Sequence, residues 1–255
     1  MTPLLEVKDL CKRFGGLQAV GHVSFAVAPG SIKALIGPNG AGKTTLFNLV
    51  FGSLLPDSGQ VWFDGKQTDG WKPHQVAAAG MARTFQHIRL FPKMSALENI
   101  AVGRHVHSRA GFLSSMLGLP WTRREQLAVR EKALATMHFL GVEELAEVEA
   151  TSLPYGQQRI VELGRALACE PKLLLLDEPA AGLNMRETSE MARLIARIRD
   201  TGVTVLLVEH DMTLVMNISD EVLVLSYGEK IADDKPLAIQ KHPEVIKVYL
   251  GEDDA

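Results

Sequence analysis

Cysteine is almost missing from this chain of 255 residues: only Cys11 and Cys169 occur. They stand far apart and without metal-ligand spacing, which excludes a disulfide framework and predicts reduced, partly buried thiols in a cytosolic protein. A charge excess of one sign is lacking as well. Twenty-seven Lys and Arg face 30 Asp and Glu, a net charge of −3, so no basic footprint for nucleic acid is present and no nucleic-acid partner is expected. Long apolar runs are absent too. The longest candidate, Gly111 to Leu119, falls short of the roughly 18–20 residues that span a bilayer. Met1 to Leu10 holds no basic stretch followed by an apolar one, so no secretory signal is expected. If the chain serves a membrane process, it does so from outside the lipid. No internal repeat or low-complexity tract occurs. What remains is an ordinary globular composition, 46% hydrophobic, 22% charged and 6% aromatic, long enough for one large α/β domain or two small ones.

The hydrophobic pattern changes character along the chain. The first thirty residues read as strands, Leu5-Glu6-Val7 opening one and Val23 to Val27 alternating with period two. Pro29-Gly30 marks a turn, and Ser31 to Ile36 is a short apolar run into a glycine-rich loop, Gly37 to Gly42. Thr44 to Phe51 follows as a helix closed near Gly52. Gln60 to Phe63 reads as another strand before Asp64-Gly65. From Ala96 to Ala168 the pattern is mostly helical, with Glu125–Leu140 and Gln157–Ala168 the clearest stretches. His105 to Arg124 reads as irregular, with its basic residues, Gly111, Gly118, Pro120 and Trp121. Lys172 to Leu176 and Val203 to Val208 are continuous apolar strands, the mark of parallel strands covered on both faces. Met185 to Arg199 between them is a helix with one apolar stripe. Alternating buried strands and helices predict an α/β fold with a parallel-sheet core, into which the middle third is inserted as a helical subdomain.

Two motifs carry chemistry. Gly37-Pro38-Asn39-Gly40-Ala41-Gly42-Lys43-Thr44 fits the phosphate-loop pattern G-x-x-x-x-G-K-[ST] without mismatch, after an apolar strand and before a helix. Glycines let backbone N–H groups turn in around phosphate oxygens, and the helix N-terminus adds a favourable dipole. Lys43 then supplies a charge to the β- and γ-phosphates and the Thr44 hydroxyl a magnesium ligand. The second motif, Leu173 to Leu176 followed by Asp177-Glu178, delivers two carboxylates at the end of a buried strand, where ligands gather in open α/β sheets. Asp177 suits magnesium held through water, and Glu178 a general base that polarises the attacking water.

With these residues in view, the chain resembles an ABC transporter ATPase over essentially its full length. The resemblance implies a P-loop NTPase (RecA-like) core with an N-terminal antiparallel β-subdomain and an inserted α-helical subdomain. Its expected boundaries are 1–87 with 170–255 for the β-subdomain and core, and 88–169 for the helical part. It further implies that Gln86, in Arg83-Thr84-Phe85-Gln86, is a magnesium ligand, that His210, in Val208-Glu209-His210-Asp211, contacts the γ-phosphate, and that Phe14 stacks on adenine. ATP and Mg2+ are the implied cofactors, with Gly37 to Thr45 (Thr45 included) holding the nucleotide and Glu178, His210, Lys43 and Gln86 acting in catalysis. The family's signature sequence falls on Leu153-Pro154-Tyr155-Gly156-Gln157, which meets the nucleotide of an opposing subunit. Here Pro154 stands for the usual serine and Tyr155 for the first glycine, which removes a hydroxyl donor and leaves the trans contact to the Gly156 amide and the helix start. Ala181-Gly182-Leu183-Asn184 likewise replaces Ser-Ala-Leu-Asp.

Within the family, Phe14 to Val20, the Tyr-Gly-Gln-Gln-Arg signature core, Asp177 to Asn184, Glu209 to Met212 and Val248-Tyr249-Leu250-Gly251 resemble the ATPase subunits of high-affinity branched-chain amino acid importers. That implies a second ATPase subunit (the same chain or a different one), two integral membrane permease subunits and, indirectly, an extracytoplasmic solute-binding protein. It places the chain as a peripheral protein at the cytoplasmic face of a bacterial or archaeal inner membrane. ATPases of urea or amide importers and of lipopolysaccharide export stay open as alternatives. A P-loop kinase or GTPase leaves the 153–159 element and His210 unexplained, and no Asn-Lys-x-Asp guanine-reading motif occurs.

Overall fold

Apolar residues on alternate positions build the first layer. Leu5, Val7 and Leu10 of β1 (Leu5–Phe14) and Val23, Phe25 and Val27 of β2 (Leu17–Val27) are all buried. β1 sits between β2 and β4 (Ser58–Phe63), antiparallel to both, and β5 (Lys66–Gln67) closes a four-stranded sheet in the order β2-β1-β4-β5. These observations come from a computed structural model, which describes residues 2–107 and 120–250. The apolar run Gly111 to Leu119 lies outside the described residues.

The second sheet holds the continuous apolar runs. Its order is β10-β9-β3-β8-β7-β6: β10 (Glu229–Asp234), β9 (Glu221–Ser226), β3 (Ile32–Ile36), β8 (Thr204–Val208), β7 (Leu173–Asp177) and β6 (Met81–Arg83). All neighbours are parallel except the β9–β10 edge pair. Burial on both faces explains why these strands do not alternate. Leu35, Leu223 and Leu225 join the core beneath the antiparallel sheet, together with Leu46, Phe47 and Val50 of α1 (Lys43–Val50). Their neighbours Ala34, Ile36, Val222 and Val224 point the other way, into a second core shared with Val215, Ile239 and Val245. Those three come from the C-terminal helices α7 (Met212–Ile218), α8 (Pro236–Ile239) and α9 (Pro243–Leu250).

The chain divides into two compact units, Met1–Arg83 with Lys172–Ala255, and Thr84–Pro171. Both sheets belong to the first, as do α2 (Pro73–Ala78) and α6 (Met185–Asp200). The second unit is helical: α3 (Ala96–Val102), α4 (Pro120–Leu140) and α5 (Tyr155–Leu167), with short 3-10 turns between. Ser95 caps α3 by accepting from the Glu98 N–H while Glu98 returns a carboxylate to the Ser95 N–H, a capping box. Gly164 lets the three helices close up. A Cβ there would lie 2.8 Å from Leu140 Cδ1 of α4 and 2.9 Å from Ile100 Cδ1 of α3. One boundary needs correction. The segment 105–124, read from sequence as irregular, already turns helical at Pro120. Proline suits the first helical position because its missing N–H has no partner there in any helix.

Candidate functional site

The phosphate loop sits where β3 ends and α1 begins. Gly37, Gly40 and Gly42 have φ of +154°, +81° and +96°. Gly42 is the N-cap of α1, and a Cβ on it would stand 2.2 Å from the Ala19 carbonyl; one on Gly37 would stand 2.2 Å from that of Leu225. Only glycine fits at either place. The loop leans on the β9–β10 turn, whose Gly228 N–H donates to the Ala41 carbonyl at 3.1 Å. Pro38 is half-buried, Asn39 and Gly40 face solvent, and Thr44 and Thr45 sit in the first turn of α1, Thr44 exposed. Lys43 is buried, its Nζ donating to the carbonyls of Gly37 at 2.7 Å and Pro38 at 3.0 Å. Burial pushes its pKa below the usual lysine range, against the pull of the Glu178 and Asp177 carboxylates. An anion entering the loop would draw this ammonium off the two carbonyls.

The carboxylates stand at the ends of β7 and β8. Asp177 is the last residue of β7 and is buried, its Oδ2 accepting from Arg83 Nη2 at 2.9 Å. Arg83 Nη1 donates in turn to Asn48 Oδ1 on α1, and the guanidinium lies over the Phe47 ring at 5.6 Å. A buried cation thus ties the Asp177 carboxylate to the helix that carries the phosphate loop. Glu178 follows at φ +49°, a left-handed backbone that side chains other than glycine rarely adopt and that costs of order 1–3 kcal/mol. Its N–H donates to the Val208 carbonyl at 2.9 Å, which fixes it beside the end of β8. There His210 follows the buried Glu209, with its Nδ1 4.0 Å from Glu178 Oε2 and 3.8 Å from Glu209 Oε2. The Glu209 carboxylate is fully buried, and that burial pushes its pKa up against hydrogen bonds from the Ala180, His210 and Asp211 N–H groups.

The structure therefore brings Gly37 to Thr45, Asp177, Glu178 and His210 together in the first unit. Phe14 belongs to that unit too, at the end of β1, with 47% of its surface exposed and Lys12 Nζ 5.7 Å from its ring. Gln86 and the segment 153–157 belong to the second unit. Gln86 is exposed, and its carbonyl accepts from Arg159 Nη2 at 2.7 Å, as Phe85 accepts from Nη1 at 3.1 Å. Pro154 occupies the N-cap of α5 without a side-chain hydrogen bond, and Gly156 lies in the helix's first turn. Tyr155 is half-exposed, with its hydroxyl 2.9 Å from Arg159 Nη2. Sequence reasoning assigned no part to Arg83 or Glu209. A charged residue inside or directly after an apolar strand was the available signal for both.

Comparison with known proteins decides the family. The family model described as "ABC transporter" matches residues 20–181, and one described as "Branched-chain amino acid ATP-binding cassette transporter" matches 229–255. This chain belongs to the ABC transporter family. The cassette is 45% identical to the high-affinity branched-chain amino acid transport ATP-binding protein BraF of Pseudomonas aeruginosa, over 98% of both chains. It is 44% identical to LivG of Escherichia coli K12, a protein of the same description, over the same shares. Among solved structures it resembles the ADP conformation of MJ1267, an ATP-binding cassette of an ABC transporter. There the TM-score is 0.86 and the identity 32%, over 99% of this chain and all of that one. The fold is accordingly that of an ABC ATPase, with the P-loop NTPase core expected from the sequence. The Asn184 departure also finds a local account in this cassette. Asn184 caps α6, its Oδ1 accepting from the N–H groups of Arg186 at 3.0 Å and Glu187 at 3.1 Å, a task asparagine and aspartate perform equally well.

Proposed function

We propose that this chain is the ATP-hydrolysing subunit that powers high-affinity uptake of branched-chain amino acids. The observation that carries the reading is likeness along the whole chain to BraF and LivG, joined to the separate match over 229–255. No helix among the described residues is long and apolar enough to cross a membrane. Transport then needs two integral membrane permeases, a second ATPase subunit and, beyond the membrane, a solute-binding protein, with this chain docked at the cytoplasmic face of the inner membrane.

The site residues take the following parts. Phe14 stacks on adenine, and the backbone of Gly37 to Thr45 with Lys43 holds the phosphates. Lys43 exchanges its two carbonyl partners for phosphate oxygens, which offset the burial of its charge. Magnesium would fit the donors at hand: the Thr44 hydroxyl is a hard oxygen ligand, the Asp177 carboxylate would hold the ion through a water, and Gln86 is a further ligand proposed from the family pattern. Phosphate oxygens and water complete the coordination, as is usual for this ion. When bound it neutralises phosphate charge. Glu178 accepts the proton of the attacking water, and His210 contacts the γ-phosphate. Two cassettes close head to tail, each nucleotide capped by the 153–157 segment of the opposing chain. Work comes from the greater affinity of ATP for the closed pair.

Two measurements test this. Glu178→Gln keeps shape but loses the proton acceptor, so ATP binding persists while steady-state hydrolysis falls by roughly 100-fold or more; near wild-type turnover places the base elsewhere. Purification of the tagged chain from native membranes, with mass spectrometry of what comes with it, names the permeases. Permeases of another transport class would overturn the cargo assignment.

A further inference from the structure

Glu209 is the most deeply buried carboxylate among the described residues of the first unit, with no solvent exposure, and nothing in the proposed chemistry uses it. Removing a carboxylate from water is costly unless its oxygens are met. Here they are met by backbone from two different loops. Oε1 accepts from the N–H of Ala180, two residues beyond Glu178, at 2.9 Å. Oε2 accepts from the N–H of His210 at 3.1 Å. An apolar side chain at this position would leave both amides without these partners, and buried amides are seldom left unmet. The strands below already fix the two loop origins, through the Glu178 N–H on the Val208 carbonyl and the β7–β8 ladder. Beyond those origins, the Glu209 side chain joins the two loops.

We infer that Glu209 is a positioning residue, a clasp between the loop that follows Glu178 and the loop that carries His210, and that it sets the spacing of those two side chains. The inference rests on the roles given above to Glu178 and His210. It deepens that reading by naming what holds the pair: His210 Nδ1 stands 4.0 Å from Glu178 Oε2, and a shift of either loop changes that spacing directly. Small misplacements of catalytic groups cost rate far more than they cost binding. Phosphate-loop contacts do not pass through Glu209, so nucleotide affinity is expected to stay constant.

The test is Glu209→Gln in the full chain. Glutamine keeps the volume but turns one oxygen into an NH2 that faces an amide donor, which opens one side of the clasp. We expect kcat for ATP hydrolysis to fall about tenfold or more while the affinity for a fluorescent ATP analogue stays within about twofold. In a Glu178→Gln background the same change is expected to cost little further turnover, because a residue acting through Glu178 has nothing left to position. An equal fall in both backgrounds, or a loss of nucleotide affinity matching the loss of rate, would overturn the clasp. Glu209→Asp keeps the charge but is one methylene too short to span both amides, and it is expected to fall between wild type and Gln. Wild-type protein supplies a reading that needs no variant: the amides of Ala180 and His210 are expected to be protected from hydrogen exchange, and free exchange at either refutes the contact. If Glu178→Gln itself retains turnover, the base assignment fails and not the clasp. If Glu178→Gln is silent while Glu209→Gln is fully active, the clasp alone fails.

Discussion

Arg83→Met tests how much of this molecule's stability is bound up in its site. Arg83 and Asp177 are a buried pair, each with 4% of its side chain exposed, joined at 2.9 Å. Removal of one partner of such a pair takes a direct ion-pair partner from the other charge in a poorly solvating interior, at a cost of about 3–5 kcal/mol. Methionine is unbranched and keeps a packing surface toward Phe47, so the change isolates charge and hydrogen bonding from volume. Asn48 Oδ1 also loses its donor, at about 1 kcal/mol. The two losses come to about 4–6 kcal/mol, and for a chain of this size each kcal/mol moves the melting midpoint by roughly 2–4 °C, so a fall of roughly 8–24 °C is expected. Circular dichroism or scanning calorimetry reads it. The decisive companion is Arg83→Met with Asp177→Asn. If the penalty arises from the Asp177 charge, replacing that charge by an amide restores most of the midpoint although a second native residue is gone. A single variant that melts within about 2 °C of wild type refutes the buried-pair reasoning. So does a double variant that melts below the single one.

Three further changes probe other links. Lys43→Ala removes the ammonium proposed to meet the phosphates, and ATP binding is expected to weaken by about 2–4 kcal/mol in a titration with a fluorescent analogue; unchanged affinity refutes the loop assignment. Glu162 lies buried on α5 among Arg159 and Arg165 and accepts from the Arg89 N–H, and burial outweighs these partners and raises its pKa. The folded chain then holds this proton more tightly than the unfolded one, so the stability it contributes is complete below the ordinary glutamate value and is lost as pH rises through the raised one. Urea midpoints of wild type relative to Glu162→Gln are expected to decline across that window, and parallel profiles refute it. Phe91 is 45% exposed and follows the half-buried Leu90, while its backbone is pinned on both sides by the fully buried Asn99. Phe91→Asp is expected to release the chain from membranes with nucleotide binding intact; unfolding would mark the ring as packing instead.

What could be read in the sequence was what is local. The phosphate loop is a contiguous pattern whose glycines answer to backbone crowding within and beside the loop, and β7 announces itself by four leucines before Asp177. β9 and β10 went unread, although the run Val222-Leu223-Val224-Leu225 is as apolar as β8 and Tyr227-Gly228 marks its hairpin turn. Pro120, placed by sequence within an irregular segment, instead begins a helix. Asn184 stood out against a family pattern, yet its neighbour three residues on, Glu187, completes a capping box visible in sequence. Arg83 and Glu209 stand out as charges at the ends of apolar strands, but what they bind is not legible. Their partners lie 94 and 29 residues away and are met only after β6, β7 and β8 come into register. No local spacing encodes such a pair.

Several costly features of the first unit gather at one end of one sheet. β6 ends on Arg83, β7 on Asp177 and the strained Glu178, and β8 runs into the buried Glu209 before His210. Opposite, Lys43 is buried against two carbonyls that give its charge only partial relief. Each is unfavourable taken alone: a left-handed glutamate backbone, two desolvated carboxylates, a desolvated ammonium. The apolar strands beneath, covered on both faces, are rigid enough to hold these groups in place. A nucleotide held as proposed would bring negative charge to Lys43 and relieve part of that strain, and ligands that bind only the folded state stabilise it in proportion to their occupancy. The same burial that makes the site unfavourable to build therefore makes its geometry definite, and nucleotide binding offsets part of the free energy that folding gave up there.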